Sequence, residues 1–261
     1  MKKITVIALL LAAALGAQAR NGSGKPAYKD AGRPVEERVS DLLSRMTLEE
    51  KIMQLNQYTL GRNNNVNNVA DPVDEIPAEI GSLIYFDTSP GLRNRLQKKA
   101  MEQSRLGIPV LFGYDVIHGF RTTYPISLAQ ACSWNPGLVK RAAEIAAQEA
   151  RMSGVEWTFS PMIDVARDGR WGRVSEGSGE DPYLGEHIAA AMVRGYQGGD
   201  LADPTTIMAC VKHFAAYGAP QAGRDYHTVD MSERTFREVY LPPYRAALDA
   251  GAATVMTSFN D

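Results

Sequence analysis

Short apolar runs alternate with longer amphipathic stretches along this chain, and that alternation limits the folds it can adopt. The apolar runs are Gly81–Phe86, Ile108–Asp115, Val155–Val165, Ile207–Phe214 and Ala253–Phe259. They are continuously apolar, as strands buried on both faces of a parallel sheet are. The pattern therefore predicts five parallel strands with helices packed outside the sheet.

The stretches between these runs carry helix-start signals. A capping residue precedes a proline at Ser89-Pro90, Asn135-Pro136 and Asp181-Pro182, which places proline at the first helical position. Thr47 with Glu50 three residues later forms a capping box. The first predicted helical stretch covers residues 34–57, with a break near Arg45. One helix begins at each proline signal, and the helix that begins at Pro182 runs to about Gln197. A further helix is predicted over Ser232–Ala250.

Two observations favour a barrel over an open doubly wound sheet. No glycine-rich phosphate loop follows the first strand, as a nucleotide-binding open sheet would require. Polar residues stand at the carboxyl ends of the strands, the face that carries the active site in a (β/α)8 barrel. These residues are Asp115, Asp164, Lys212 with His213, and Asn260 with Asp261. We therefore expect an α/β, TIM-barrel-like fold that is incomplete, with about five βα units present and the remaining strands beyond Asp261.

The N-terminus has the layout of a secretory signal peptide. Lys2 and Lys3 precede the uncharged run Ile4–Leu15, and Ala17-Gln18-Ala19 is a small-residue cleavage site. The run is well short of the roughly 20 residues that cross a bilayer. Residues 1–19 are therefore predicted to be removed on export, which places the protein in the periplasm or outside the cell.

The predicted signal peptide is followed by a linker over residues 20–33 and by the barrel domain over 34–261. The formal net charge of −2 indicates no basic surface suited to nucleic acid. The four histidines show no zinc-ligand spacing, and no P-loop or Gly-x-Ser-x-Gly elbow occurs. The sequence therefore predicts no metal and no cofactor, and leaves the oligomeric state open.

Lys212 and His213 stand side by side at the end of an apolar strand. Successive side chains on a strand point to opposite faces, so both can reach one pocket only if the strand ends or bulges there. Such a pair could grip neighbouring hydroxyls of a ligand. A salt-bridged lysine beside a histidine that caps a loop explains the pair equally well.

The stretch from Asp164 to Pro182 holds three arginines and five acids within nineteen residues. The planar guanidinium of arginine can donate paired hydrogen bonds to a carboxylate or a vicinal diol. Ion pairs within the loop would also explain the three arginines. Asp115 at a strand end can accept two hydroxyl hydrogen bonds, and Arg224 lies in a later glycine-rich loop. Together with nearby aromatics such as Trp171, these residues suit a neutral, polyhydroxylated ligand.

Four motifs resemble the N-terminal barrel of family 3 glycoside hydrolases, most closely the bacterial periplasmic β-glucosidase type. They are Gly113–Gly119, Gly172-Arg173 through Pro182, Lys212-His213-Phe214 and Val255–Asn260. The resemblance implies that Asp115, Arg173, Lys212, His213 and Arg224 hold the hydroxyls of the glycone, and that Glu180 and Asp181 shape the loop carrying Arg173. Many members have tyrosine where Phe259 stands, so that residue's role is not carried over.

Family members are retaining enzymes, with two carboxyl groups about 5–5.5 Å apart. The resemblance implies that the nucleophilic aspartate lies on the next strand, beyond Asp261, and the acid/base glutamate in a following α/β sandwich domain. We therefore expect the full-length protein to be an exo-acting β-glucosidase acting on oligosaccharides or β-glucosides. The 261 residues hold the glycone-binding half of the site and are expected to be inactive and unable to fold stably alone.

Four alternatives remain open. The β-N-acetylglucosaminidase branch of the family continues its Lys-His-Phe motif with Pro-Gly-His-Gly, where Ala215–Gly218 stands here. A β-xylosidase would share the family's motifs. A lysine at a barrel strand end can also be a Schiff-base nucleophile, so Lys212 could serve a lyase. Finally, the chain could bind sugars without catalysis.

Overall fold

The computed structural model describes residues 25–60, 71–86 and 89–260. Backbone contacts divide the chain into two units, Met1–Lys51 and Ile52–Asp261. The predicted signal peptide, residues 1–19, and Asp261 lie outside the described residues.

The first unit contains a short 3₁₀ turn and helix α1. The turn is Ala27–Lys29 and α1 is Val35–Arg45. The Tyr28 amide donates to Asp41 Oδ2 at 3.0 Å, which ties the turn to α1. Helix α2, Leu48–Gln54, begins in this unit with the predicted capping box. The Thr47 amide donates to Glu50 Oε2 at 2.9 Å and the Glu50 amide to Thr47 Oγ1 at 3.3 Å, so that prediction is confirmed.

The second unit is built on one sheet of six parallel strands. They are β1 Gln57–Leu60, β2 Ser82–Tyr85, β3 Leu111–Tyr114, β4 Trp157–Thr158, β5 Met208–Phe214 and β6 Thr254–Thr257. Each strand pairs with the next one along the chain. A doubly wound sheet would reverse this order at a switch point, whereas consecutive parallel strands are the arrangement of a (β/α)8 barrel. The predicted α/β, TIM-barrel-like class is confirmed.

Strand β1 was not predicted, so the described sheet has six strands where the sequence suggested about five. The predicted first helical stretch extended to Gln57, but α2 ends at Gln54. The four-residue strand that follows carries polar side chains at Gln57 and Thr59, so it lacks the continuous apolar character of the other strands. The Phe86 amide donates to Leu60 O at 2.9 Å, which fixes β1 beside β2.

Helices follow the strands. They are α3 Pro72–Glu75, α4 Pro90–Gln103, α5 Ser127–Ala131, α6 Pro136–Met152, α7 Pro182–Gln197, α8 Glu233–Thr235 and α9 Pro242–Asp249. The three predicted proline starts are confirmed, since Ser89, Asn135 and Asp181 each accept a backbone N–H of the helix that they cap.

The last predicted helix, Ser232–Ala250, is interrupted. Helix α8 passes into a π-helical turn at Phe236–Tyr240, and α9 starts afresh at Pro242. Proline has no N–H to donate and its ring clashes with the preceding turn. The Pro242-Pro243 pair therefore accounts for the new helix start.

The larger core of the unit lies between α6, α7 and the middle of the sheet. Small residues allow the two helices to approach closely. A Cβ on Gly195 of α7 would lie 2.6 Å from both Ala143 Cβ and Lys140 O of α6. This close packing holds the sheet from outside and leaves the carboxyl ends of β3 to β5 to carry polar groups.

Candidate active site

The carboxyl ends of β3, β4 and β5 bring several predicted site residues together. Asp115 directly follows β3, and Lys212 and His213 lie near the end of β5. Met162, beyond β4, forms a parallel bridge with Lys212. The pairing of β5 with β6 has an irregular register between Val211 and Phe214, as expected if both side chains are to reach one pocket.

Lys212 and Asp115 form an ion pair across two strand ends. Lys212 Nζ donates to Asp115 Oδ1 at 2.8 Å, and the exposed fractions of the two side chains are 4% and 42%. A buried ammonium requires a partner, and this carboxylate supplies it while part of its surface remains open. Lys212 Nζ is therefore engaged by a carboxylate in this structure.

His213 is held by Asp164, a carboxylate with no exposed side-chain surface. Asp164 Oδ2 lies 2.8 Å from His213 Nδ1 and accepts the His213 amide at 3.0 Å. Asp164 Oδ1 accepts the Tyr244 hydroxyl at 3.0 Å. Burial, together with the adjacent Asp164 charge, raises the pKa of Tyr244 well above its ordinary value, so this hydroxyl stays protonated.

Arg173 is fixed by Glu176 within a 3₁₀ turn. Its Nε and Nη2 donate to the two Glu176 carboxylate oxygens at 2.7 and 2.8 Å. Burial opposes both charges, but the paired hydrogen bonds outweigh it, so the pKa of Arg173 is raised and that of Glu176 is lowered. Asp181 caps α7 and Glu180 is exposed, and the contact that fixes Arg173 comes from Glu176. That Glu180 and Asp181 shape this loop stays a prediction.

Arg224, like Asp115, is exposed, whereas Lys212 and His213 are buried and Arg173 is half-buried. The neighbour of Arg224, Asp225, anchors the loop instead: Oδ1 accepts the Tyr217 hydroxyl at 2.5 Å and Trp171 Nε1 at 2.9 Å. Trp171 is 2% exposed and packs edge-on against Tyr217, so it is a packing residue in this structure. Asp225 thus ties the loop to Trp171 and Tyr217, next to the exposed residue Arg224.

Aromatic rings join these groups into one cluster. The Tyr217 ring centre lies 4.9 Å from that of His213 and 5.3 Å from that of Phe259. The Arg173 guanidinium lies 5.4 Å from the Tyr217 ring centre. Phe259 itself is 54% exposed. The buried ring of Tyr217 therefore lies between His213 and Arg173, beside the exposed ring of Phe259.

Sequence reasoning noted Asp164 and Glu176 but gave neither a site role, and it missed Asp225 and Tyr244. An Arg-x-x-Glu spacing could have indicated the Arg173–Glu176 pair. Tyr244 lies 80 residues from Asp164, so no local pattern could have linked them. Within the described ranges, no group of three or more His, Cys, Asp or Glu side chains is placed to hold a metal ion.

Comparison with known proteins identifies the family of the chain. Residues 47–261 match the model of the glycosyl hydrolase family 3 N terminal domain. The chain belongs to glycosyl hydrolase family 3. Family 3 proteins similar to it include the periplasmic beta-glucosidase of Salmonella typhimurium, which is 44% identical over 222 residues, covering 85% of this chain and 29% of the relative. A beta-xylosidase of Formosa agariphila is 34% identical over 274 residues, covering 100% of this chain and 32% of the relative.

Solved family 3 structures share the fold. The beta-glucosidase from Listeria innocua in complex with glucose matches with a TM-score of 0.79 and 44% identity, covering 87% of this chain and 33% of that one. The same enzyme has been solved with isofagomine, with a TM-score of 0.77. The chain therefore spans about a third of the length of the relatives it matches. The predicted family resemblance is confirmed.

Proposed function

We propose that the full-length protein is a retaining, exo-acting β-glucosidase that removes terminal non-reducing β-D-glucosyl residues. The observation that carries the proposal is the joint placement of Asp115, Lys212, His213 and Arg173 at the carboxyl ends of the strands. The 44% identity to two proteins named as beta-glucosidases supports the choice of glucoside.

Asp115, Arg173, Lys212, His213 and Arg224 are the proposed glycone-binding residues. The partly open carboxylate of Asp115 can accept hydroxyl hydrogen bonds while Lys212 keeps it oriented. Lys212 and Arg173 supply donors to the oxygens of the same ring. Charge-assisted hydrogen bonds of this kind are stronger than neutral ones. Because the partners are fixed before the ligand arrives, little ordering is required on binding.

The catalytic carboxyl pair is proposed to lie beyond residue 261, with the nucleophile on the next strand and the acid/base in a following domain. Four carboxylates of the described cluster, Asp115, Asp164, Glu176 and Asp225, each accept a hydrogen bond from a neighbouring side chain. Their engagement in these contacts supports a role in binding or positioning rather than as the catalytic pair.

Export through a signal peptide over residues 1–19, a linker over 20–33 and a barrel domain starting at 34 belong to the same proposal. The name of the Salmonella typhimurium relative supports a periplasmic location. No helix among the described residues is long and apolar enough to span a membrane.

The test is an assay of the full-length protein on 4-nitrophenyl β-D-glucoside, β-D-xyloside, N-acetyl-β-D-glucosaminide and α-D-glucoside. We expect the β-glucoside to have the highest kcat/KM and proton NMR to show the β-anomer of glucose as the first product. The names of two Formosa agariphila relatives make β-xyloside the main competitor. A higher kcat/KM for the xyloside would replace the glucosidase assignment, and no cleavage of any glycoside would overturn the hydrolase proposal.

Variants of the binding residues test the site itself. Lys212→Met and Arg173→Met should each lower kcat/KM by at least about a hundredfold, since each removes charge-assisted hydrogen bonds to the ligand. Arg234→Met is the matched control, because Arg234 is 82% exposed and pairs only with Glu238 among the described residues. Wild-type kcat/KM in Lys212→Met or Arg173→Met would remove that residue from the proposed site.

A further inference from the structure

The hydrogen bonds of Asp164 give it a specific relation to His213. One of its carboxylate oxygens receives both the backbone N–H and the ring Nδ1 of His213, and the other receives the Tyr244 hydroxyl. The two side chains of the Asp164–His213 pair are 0% and 1% exposed. A buried carboxylate with both oxygens occupied in this way is held in one orientation.

That orientation decides which nitrogen of His213 carries a proton. An ionised carboxylate can only accept hydrogen bonds, so Nδ1 must be the protonated nitrogen in this contact. The Tyr244 hydroxyl donates to the other carboxylate oxygen, Oδ1, so it does not compete with His213 for Oδ2.

The ring of His213 is also confined on its other sides. Tyr217 packs edge-on at 4.9 Å between ring centres, and Phe259 lies tilted at 5.2 Å. Among the described residues, no hydrogen bond is made by Nε2, which lies on the ring edge away from Nδ1. The ring thus has one nitrogen committed to Asp164 and one left for a further partner.

We propose that Asp164 is a positioning residue that, with Tyr244, fixes His213 in its Nδ1-protonated form and holds Nε2 ready for a hydroxyl of the bound sugar. This inference rests on the proposed glycosidase function. Asp164 is buried below His213 and acts through it. Its side chain does not touch the ligand.

A double-variant cycle in the full-length protein separates this role from a merely structural one. Asp164→Asn keeps the shape but replaces a charge-assisted hydrogen bond with a neutral one, so kcat/KM should fall about tenfold. His213→Asn keeps an N–H near Asp164 and removes Nε2. If Asp164 acts through His213, adding Asp164→Asn to His213→Asn should cost less than about twofold more.

Tyr244→Phe provides a second variant in case Asp164→Asn does not fold. It removes one anchor of Asp164 and should lower kcat/KM severalfold, with the loss again absent in the His213→Asn background. Tyr85→Phe is the matched control: Tyr85 is equally buried, and its hydroxyl donates to Ser89 O on the β2 side of the sheet. It should leave kcat/KM unchanged.

The outcomes distinguish this inference from the proposed function. Fully additive losses in the double variants, or wild-type kcat/KM in both Asp164→Asn and Tyr244→Phe, would overturn the positioning role while leaving the glycosidase proposal intact. Absence of activity in the wild-type protein would overturn the proposed function instead. The same variants would then be compared by their affinity for glucose, measured by calorimetry. Additive losses of affinity would again contradict the positioning role of Asp164, and non-additive losses would support it.

Discussion

The Lys212–Asp115 pair allows a sharp test of how the site is held together. Asp115→Ala removes the carboxylate and leaves Lys212, whose side chain is 4% exposed, without the partner that lies 2.8 Å away. We expect a lower free energy of unfolding as well as the loss of ligand binding. The destabilisation arises from the lysine that remains, because a buried charge without a partner carries its full desolvation cost.

The magnitude follows from the geometry. Two unit charges at 2.8 Å attract by about 6 kcal/mol at an effective dielectric constant of about 20. Asp115 is 42% exposed, so water screens the pair and also reaches part of the carboxylate. Removing one member of a fully buried pair costs about 3–5 kcal/mol. For this partly open pair we expect a loss of about 2–3 kcal/mol.

The assay is urea unfolding of the full-length protein, followed by tryptophan fluorescence, for Asp115→Ala, Lys212→Met and the double variant. The double variant should recover at least half of the loss seen in Asp115→Ala, because no unpaired charge remains. Glu238→Ala, which breaks the exposed pair with Arg234, is the control and should show no measurable change. An Asp115→Ala protein as stable as wild type, or a double variant less stable than Asp115→Ala, would refute the reasoning.

Two further predictions concern the loop after β5. Gly218→Ala should lower the free energy of unfolding by about 1–3 kcal/mol in urea unfolding, because the added Cβ would lie 2.3 Å from Val165 O. An unchanged free energy of unfolding would contradict this close approach of Gly218 to Val165. Burial raises the pKa of Asp225, but hydrogen bonds from Tyr217 and Trp171 outweigh it and the net pKa is lowered. Ionised Asp225 therefore adds stability above its unfolded pKa of about 3.9, which is lost as the pH falls through the folded value. The stability gap between wild type and Asp225→Asn should narrow from pH 5 to pH 3, and a constant gap would exclude that contribution.

Local signals predicted the framework that positions the site. The three proline starts and the Thr47 capping box depend on residues within three or four positions of one another, so a single sequence contains all of the information. The position of Asp115, Lys212 and His213 at strand ends was predictable for a related reason. Parallel strands place all their carboxyl ends at one edge.

Contacts between distant segments were not predictable in this way. The hydrogen bond between Asp164 and Tyr244 joins a strand-end loop to the final helix, and nothing near either residue specifies the other. Strand β1 was missed because its pairing with β2, rather than its own composition, makes it a strand. Arg224 was assigned to the site through the family resemblance, and the sequence alone could not show that this residue is exposed.

Two cations of the site, Lys212 and Arg173, are paired within the chain with Asp115 and Glu176. The Asp164 carboxylate is held by hydrogen bonds from His213 and Tyr244. A neutral sugar can share hydrogen bonds with these pairs and leave their charge balance unchanged. A charged ligand would bring an additional charge into a region where Lys212 and His213 are nearly fully buried, and desolvating it without a counter-charge is costly. If the proposed site binds a sugar, we therefore expect these pairs to favour neutral polyols over charged sugars.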